Sequence, residues 1–132
     1  MTASSQPEEA HELVAAAKRD QHALVILSRD AQAPAEIALF LAQQAIEKSI
    51  KSVFAMHGVV YRRTHDLLLL ATLANEAGIT LPVDHDLLAR LGPYAVEFRY
   101  VGHAAPDVSL AEALIAVDGS ISWATRSLAP AA

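Results

Sequence analysis

Residues 40–58 read FLAQQAIEKSIKSVFAMHG, and the placement of this stretch decides the fold. Its apolar residues recur at helical spacing, and Gly58 closes the run as a C-terminal cap. On a helical wheel Leu39, Ile46, Ile50 and Val53 share one arc. Gln44, Glu47, Lys48 and Lys51 share nearly the opposite arc, with Ile37 and Phe40 near its start. The helix thus offers one side to a core and a second side that is half polar and half apolar. Two readings of that second side are open. Glu47 and Lys51 stand four apart in the order that favours an exposed ion pair, which needs only solvent. In the other reading, the polar groups meet a second chain or a ligand.

Working outward, Pro34 is placed to open this helix, and "DAQAP" separates it from an earlier one. That first helix is expected from about Pro7 to Arg29, with Pro7 in its first turn and Glu8 and Glu9 near the positive end of its dipole. Residues 1–6 read as a loose, disordered tail, and 7–132 as a single helical domain. After Gly58, "VVYRR" is a connection. A third helix begins at Thr64 or His65 and ends at Gly78. Asp84 or Asp86 starts a fourth, whose apolar seam is Leu87, Leu91, Tyr94, Phe98 and Val101. Gly92-Pro93 inside that seam predicts a kink or two short helices. A fifth helix is expected from Pro106 or Asp107 to about Leu128. The fold class is therefore all-α: an up-and-down four-helix bundle from the first, second, fourth and fifth helices, with the short third helix as an addition.

Composition supports this. Of 132 residues, 53% are hydrophobic and 19% charged, while aromatics make up 5%, which favours helix over sheet. The formal net charge of −5 and the lack of any basic run argue against general electrostatic attraction to nucleic acid. With no cysteine, thiolate metal sites, thiol catalysis and disulfides are excluded. No apolar run is long enough to span a bilayer and the N-terminus lacks an apolar signal core, so a cytoplasmic protein without membrane contact is expected.

Three segments in order then suggest a family. They are "LFLAQQAIEKSIKSVFAMHG", "RTHDLLLLATLANEAG" and "YAVEFRYVG". The first carries Gln-x-x-Glu-Lys-x-x-Lys, here Gln44, Glu47, Lys48 and Lys51. The second opens on Thr-His-Asp-Leu, Thr64 to Leu67, and the third holds the Arg99-Tyr100 pair. The chain resembles a HEPN domain from about residue 8 to residue 128. The resemblance implies a helical bundle that homodimerises through its helices. It also implies one of two roles. The first is the binding partner of a minimal nucleotidyltransferase, as its proposed substrate-binding subunit or the toxin of a toxin–antitoxin pair. The second is a metal-independent ribonuclease with an Arg and a His from each subunit. A stand-alone nucleotide-binding module is a third expectation.

The nuclease signature separates its Arg and His by four to six residues. Arg99 and His103 are separated by three, in "RYVGH". Where modified family toxins have a tyrosine two places after the His, this chain has Ala105. Chemically, His103 suits a general base and Arg99 a phosphate-binding cation. The reading favours the non-enzymatic partner, with Gln44, Glu47, Lys48, Lys51, His65 and Tyr100 as ligand- or partner-binding residues. His65 is read either as a loop tether or as the lining of a polar pocket. No zinc-type spacing links the histidines and no glycine-rich phosphate loop exists, so no metal and no cofactor are expected.

Overall fold

The computed structural model describes residues 5–95 and 108–129. Helices α1 (Pro7–Ser28), α2 (Ala35–His57), α3 (Leu67–Glu76), α4 (His85–Leu91) and α5 (Leu110–Leu128) follow in order, and the 3-10 turn Gly92–Ala95 continues α4. The described residues contain no β-strand. The expected all-α architecture is what the chain adopts.

Local chemistry sets the helix boundaries. Gly58 takes the left-handed conformation, φ 69°, that an L side chain avoids, and its N–H closes the last turn of α2 on Phe54 and Ala55. The third helix starts later than the sequence suggests. Asp66 is its cap, accepting from the N–H groups of Leu68 and Leu69, so Thr64 and His65 stay in the connection. Asp84 caps α4 through Leu87 N–H. The Gly92-Pro93 pair ends α4 in the 3-10 turn, which fits the expectation of a break. The fifth helix also starts later than expected. Ser109 accepts from Glu112 N–H while the Glu112 carboxylate accepts from Ser109 N–H, a capping box that fixes the start of α5 at Leu110. Those two residues, with Phe98 and Val101 of the apolar seam, lie outside the described residues. So do residues 1–4 of the expected tail, while Gln6 at its end donates its N–H to Ala55 O at 2.8 Å.

Packing centres on α2, which touches α1, α5, α3 and the 3-10 turn. Its buried residues lie all around the helix: Leu39, Ile46, Ile50, Val53 and Phe54 on one side, and Ala38, Ala42, Ala45, Ser49 and Ser52 on others. The small residues let neighbouring helices approach closely. Leu24 of α1, Leu67 and Leu70 of α3, Leu88 and Leu91 of α4 and Val117 of α5 complete the main core. A second cluster joins Val14, Val53, Ala124 and Leu128. Half-buried Trp123 packs against both clusters, consistent with a core role. Because α2 is enclosed, its polar row is enclosed with it.

Candidate functional site

Gln43, Glu47 and Lys51 succeed one another at four-residue steps on α2, so their side chains form one ridge. Beside that ridge runs the connection from Gly58 to Asp66. The Gln43 amide is fully buried and donates both to Glu47 Oε1 and to the backbone carbonyl of His65, each at 3.1 Å. The Lys51 ammonium donates to Glu47 Oε2 at 3.0 Å and to Thr64 O at 2.7 Å. It also lies 5.7 Å from the ring centre of Tyr61, within cation–π range. Two α2 side chains thus hold two consecutive carbonyls of the connection. Burial of these polar groups is tolerated because each has a partner.

The expectation of an exposed Glu47–Lys51 pair is corrected here. The pair forms, but its side chains are only 4% and 13% exposed, because the α2–α3 connection covers them. Lys48 points elsewhere: its ammonium reaches Asp20 of α1 at 2.6 Å, a half-buried bridge between helices. Gln44 donates to Gln43 Oε1 at 2.6 Å and so joins the edge of the network. Gln43 was not among the residues singled out from sequence, although the four-residue row leading from it to Lys51 carries the signal.

His65 is the accessible member of this group. Its ring is 62% exposed, yet Nδ1 sits 3.0 Å and 3.2 Å from the two Glu47 oxygens. A carboxylate only accepts, so Nδ1 carries the proton in this contact. In the neutral ring Nε2 is then an acceptor, and no hydrogen bond from the described residues occupies it. The imidazole is oriented by a carboxylate that is itself fixed by Lys51 and Gln43. Such outer partners fix the tautomer and direction of a working imidazole.

The same residue borders a cleft of about 490 Å³ between the start of α3 and the end of α4. Its wall includes Thr64, His65, Asp66, Leu68, Leu88 and Pro93. A second cleft, about 390 Å³, lies where α1 begins beside the Gly58–Arg63 connection. There Tyr61 has its pKa raised to about 12, first by burial and then by the Glu9 carboxylate, which also accepts from its phenol.

Arg99, Tyr100 and His103 lie outside the described residues, so the network at Glu47 and the cleft beside His65 are the geometry that the structure supplies. Among the described residues, no group of three or more His, Asp or Glu is placed to hold a metal ion, and no helix is long and apolar enough to cross a membrane.

A family model for the HEPN domain matches residues 8–122. This chain belongs to the HEPN family. The match spans α1, α2, α3, α4 and most of α5, so the Glu47 network and the His65 cleft both lie inside the HEPN domain. Neither the curated proteins nor the solved structures gave a match.

Proposed function

We propose that this HEPN domain is a non-catalytic binding subunit, a homodimer that associates with a minimal nucleotidyltransferase in the cytoplasm, as one half of a toxin–antitoxin type pair. The observation that carries this reading is the complete internal occupation of Glu47. Its carboxylate accepts from Gln43, Lys51 and His65 at once. A carboxylate balanced by a buried ammonium and engaged on both oxygens serves as a fixed brace, and a general base needs a free lone pair to take a proton. The conspicuous charges of α2 therefore support a scaffold that presents surfaces to other molecules.

Partner association is tested by co-expressing the chain with a minimal nucleotidyltransferase from the same genome and measuring the mass of the purified complex. A stable complex holding two copies of this chain is expected. Two separate species at micromolar concentration would overturn the partner role.

The ribonuclease reading rests on Arg99 and His103 in the sequence and is tested alongside. Purified protein is incubated with mixed RNA and no metal, beside an Arg99→Ala, His103→Ala double variant. The binding-subunit reading expects intact RNA in both tubes. Cleavage by the unsubstituted chain alone would assign those two residues a composite site between subunits.

A further inference from the structure

We infer that the outer face of α1 from Lys18 to its cap residue Arg29, together with Ile37 of α2, is a docking surface for an acidic amphipathic helix of a protein partner. This goes beyond the partner role: it names a surface apart from the Glu47 network and the chemistry that covers it, and it stands for any protein that carries such a helix.

Charge is distributed unevenly along α1. Glu8, Glu9 and Glu12 occupy its first turns, and Lys18, Arg19, His22 and Arg29 follow, all of them exposed. From Leu13 to Arg29 the sequence holds one carboxylate, Asp20, and that side chain turns aside to the Lys48 ammonium of α2 at 2.6 Å. Of the carboxylates nearby, Asp118 of α5 accepts from the Gln21 amide at 3.3 Å, and Asp30 accepts from Gln32 N–H in the turn that follows. On a helical wheel Lys18, Arg29, His22, Ile26 and Arg19 fall within an arc of about 100°. In a chain of net charge −5, this one arc carries three permanent cations.

An exposed row of charge needs only water, but this row surrounds an apolar spot. Ile26 lies within the arc and is 55% exposed, and Ile37 is 42% exposed. The Asp20–Lys48 bridge sets the level of the two antiparallel helices. Ile26 lies six residues beyond Asp20 and Ile37 eleven before Lys48, which is about 9 Å and 16 Å toward the same end of the pair. Ile37 also stands within about 20° of Lys48 on the wheel of α2, so it flanks α1. The two isoleucines therefore share one end of the α1–α2 face, with Arg19, His22 and Arg29 around them.

An apolar centre inside a charged rim is the layout of a protein interface. Lys18 to Arg29 spans about 16 Å, or three helical turns. A helix laid along it covers both isoleucines with apolar residues at three- and four-residue spacing. Carboxylates flanking that seam meet the guanidinium groups, which hold them through paired N–H donors. A nucleic-acid backbone would engage the cations and leave the isoleucines in water, so a protein helix fits both features and a phosphate chain fits one.

The test is a nuclear magnetic resonance titration of the full chain with three probes in separate series. They are a synthetic amphipathic helix with a leucine seam flanked by glutamates, the same helix with lysines in place of the glutamates, and a polyuridine strand. The glutamate helix is expected to give saturable shifts at Arg19, Ile26 and Arg29, and the lysine helix is expected to leave those signals in place. Arg19→Glu with Arg29→Glu should weaken the glutamate helix about tenfold or more and create binding of the lysine helix. Ile26→Gln should weaken the glutamate helix without creating binding of the lysine helix. All three positions are exposed, so the helical spectrum should be retained. Equal binding of both helices, unchanged affinity in both variants, or polyuridine alone moving these signals would overturn the surface. Loss of a dimer in place of loss of the peptide would assign the face to a second copy and overturn it as well. Complex formation with a nucleotidyltransferase is measured apart from this titration, so failure here leaves the partner role standing and the converse also holds.

Discussion

Glu47 and His65, eighteen residues apart in sequence, meet at 3.0 Å across the boundary between the protein interior and solvent. The carboxylate is buried and the imidazole is mostly exposed. Between them they join the central helix to the connection that leads into α3. Lys51 supplies the balancing charge from the next turn of the same helix.

Removing the carboxylate should be costly. Glu47→Ala leaves the Lys51 ammonium nearly buried with no counterion, and breaking such a pair from one side typically costs about 3–5 kcal/mol. Urea denaturation should show a much lower midpoint. A double variant, Glu47→Leu with Lys51→Met, removes both charges and should recover most of the loss. If the single and double variants were equally unstable, packing and not charge would be the source.

Two serines of the last helical segment should respond in opposite directions. Ser109→Ala deletes the capping box and should cost about 1 kcal/mol. Ser120 is buried in α5 and its hydroxyl has no partner among the described residues. Ser120→Ala removes an unpaired polar atom and improves helix propensity, so it should stabilise by roughly 1 kcal/mol. Thermal unfolding of the two variants side by side checks the sign of each.

Alkaline pH should expose Tyr61. Its pKa is raised to about 12 in the folded chain against an ordinary value of 10.0, through burial and the nearby Glu9. A group whose folded pKa is raised contributes stability below its unfolded value and loses it as pH climbs through the folded value. The contribution should therefore be intact below pH 10 and fade between about 10 and 12. An absorbance titration should show a late-ionising tyrosine that is missing in Tyr61→Phe. A titration unchanged by that substitution would contradict the burial of the phenol.

The proposed dimer has a direct probe in Ile115. It lies on α5 and is 75% exposed, so a second copy could cover it. Ile115→Arg should keep the fold, since the side chain is mostly exposed, and, if α5 forms the proposed interface, should shift the mass in light scattering from dimer to monomer. A dimer that persists at low micromolar concentration would place the interface on another face.

Much of this was readable from residues alone. Gly58, Gly78, Asp84 and the Gly92-Pro93 pair mark breaks through local backbone chemistry, and local chemistry survives folding. Pro106 and Asp107 are residues that can open a helix, but the reciprocal Ser109 and Glu112 pair, three residues apart, is the cap that α5 uses. The inward position of Glu47 was harder to read. A helical wheel assumes one core side, but α2 has neighbours on several sides, and only its run of Ala38, Ala42, Ala45, Ser49 and Ser52 hints at this. Which segment would cover Glu47 depended on a contact with a residue eighteen positions away, and helical periodicity carries no information about such a contact.

The α2 side chains grip the connection by its carbonyl oxygens, at Thr64 and His65. Every residue type has that oxygen. At these two positions the route of the connection is therefore held from α2 through atoms that every residue type supplies. Positions 64 and 65 can change identity over evolutionary time, or in a library, while the chain keeps its course. In such a frame, the surface at these positions can drift without a fresh solution to the folding problem.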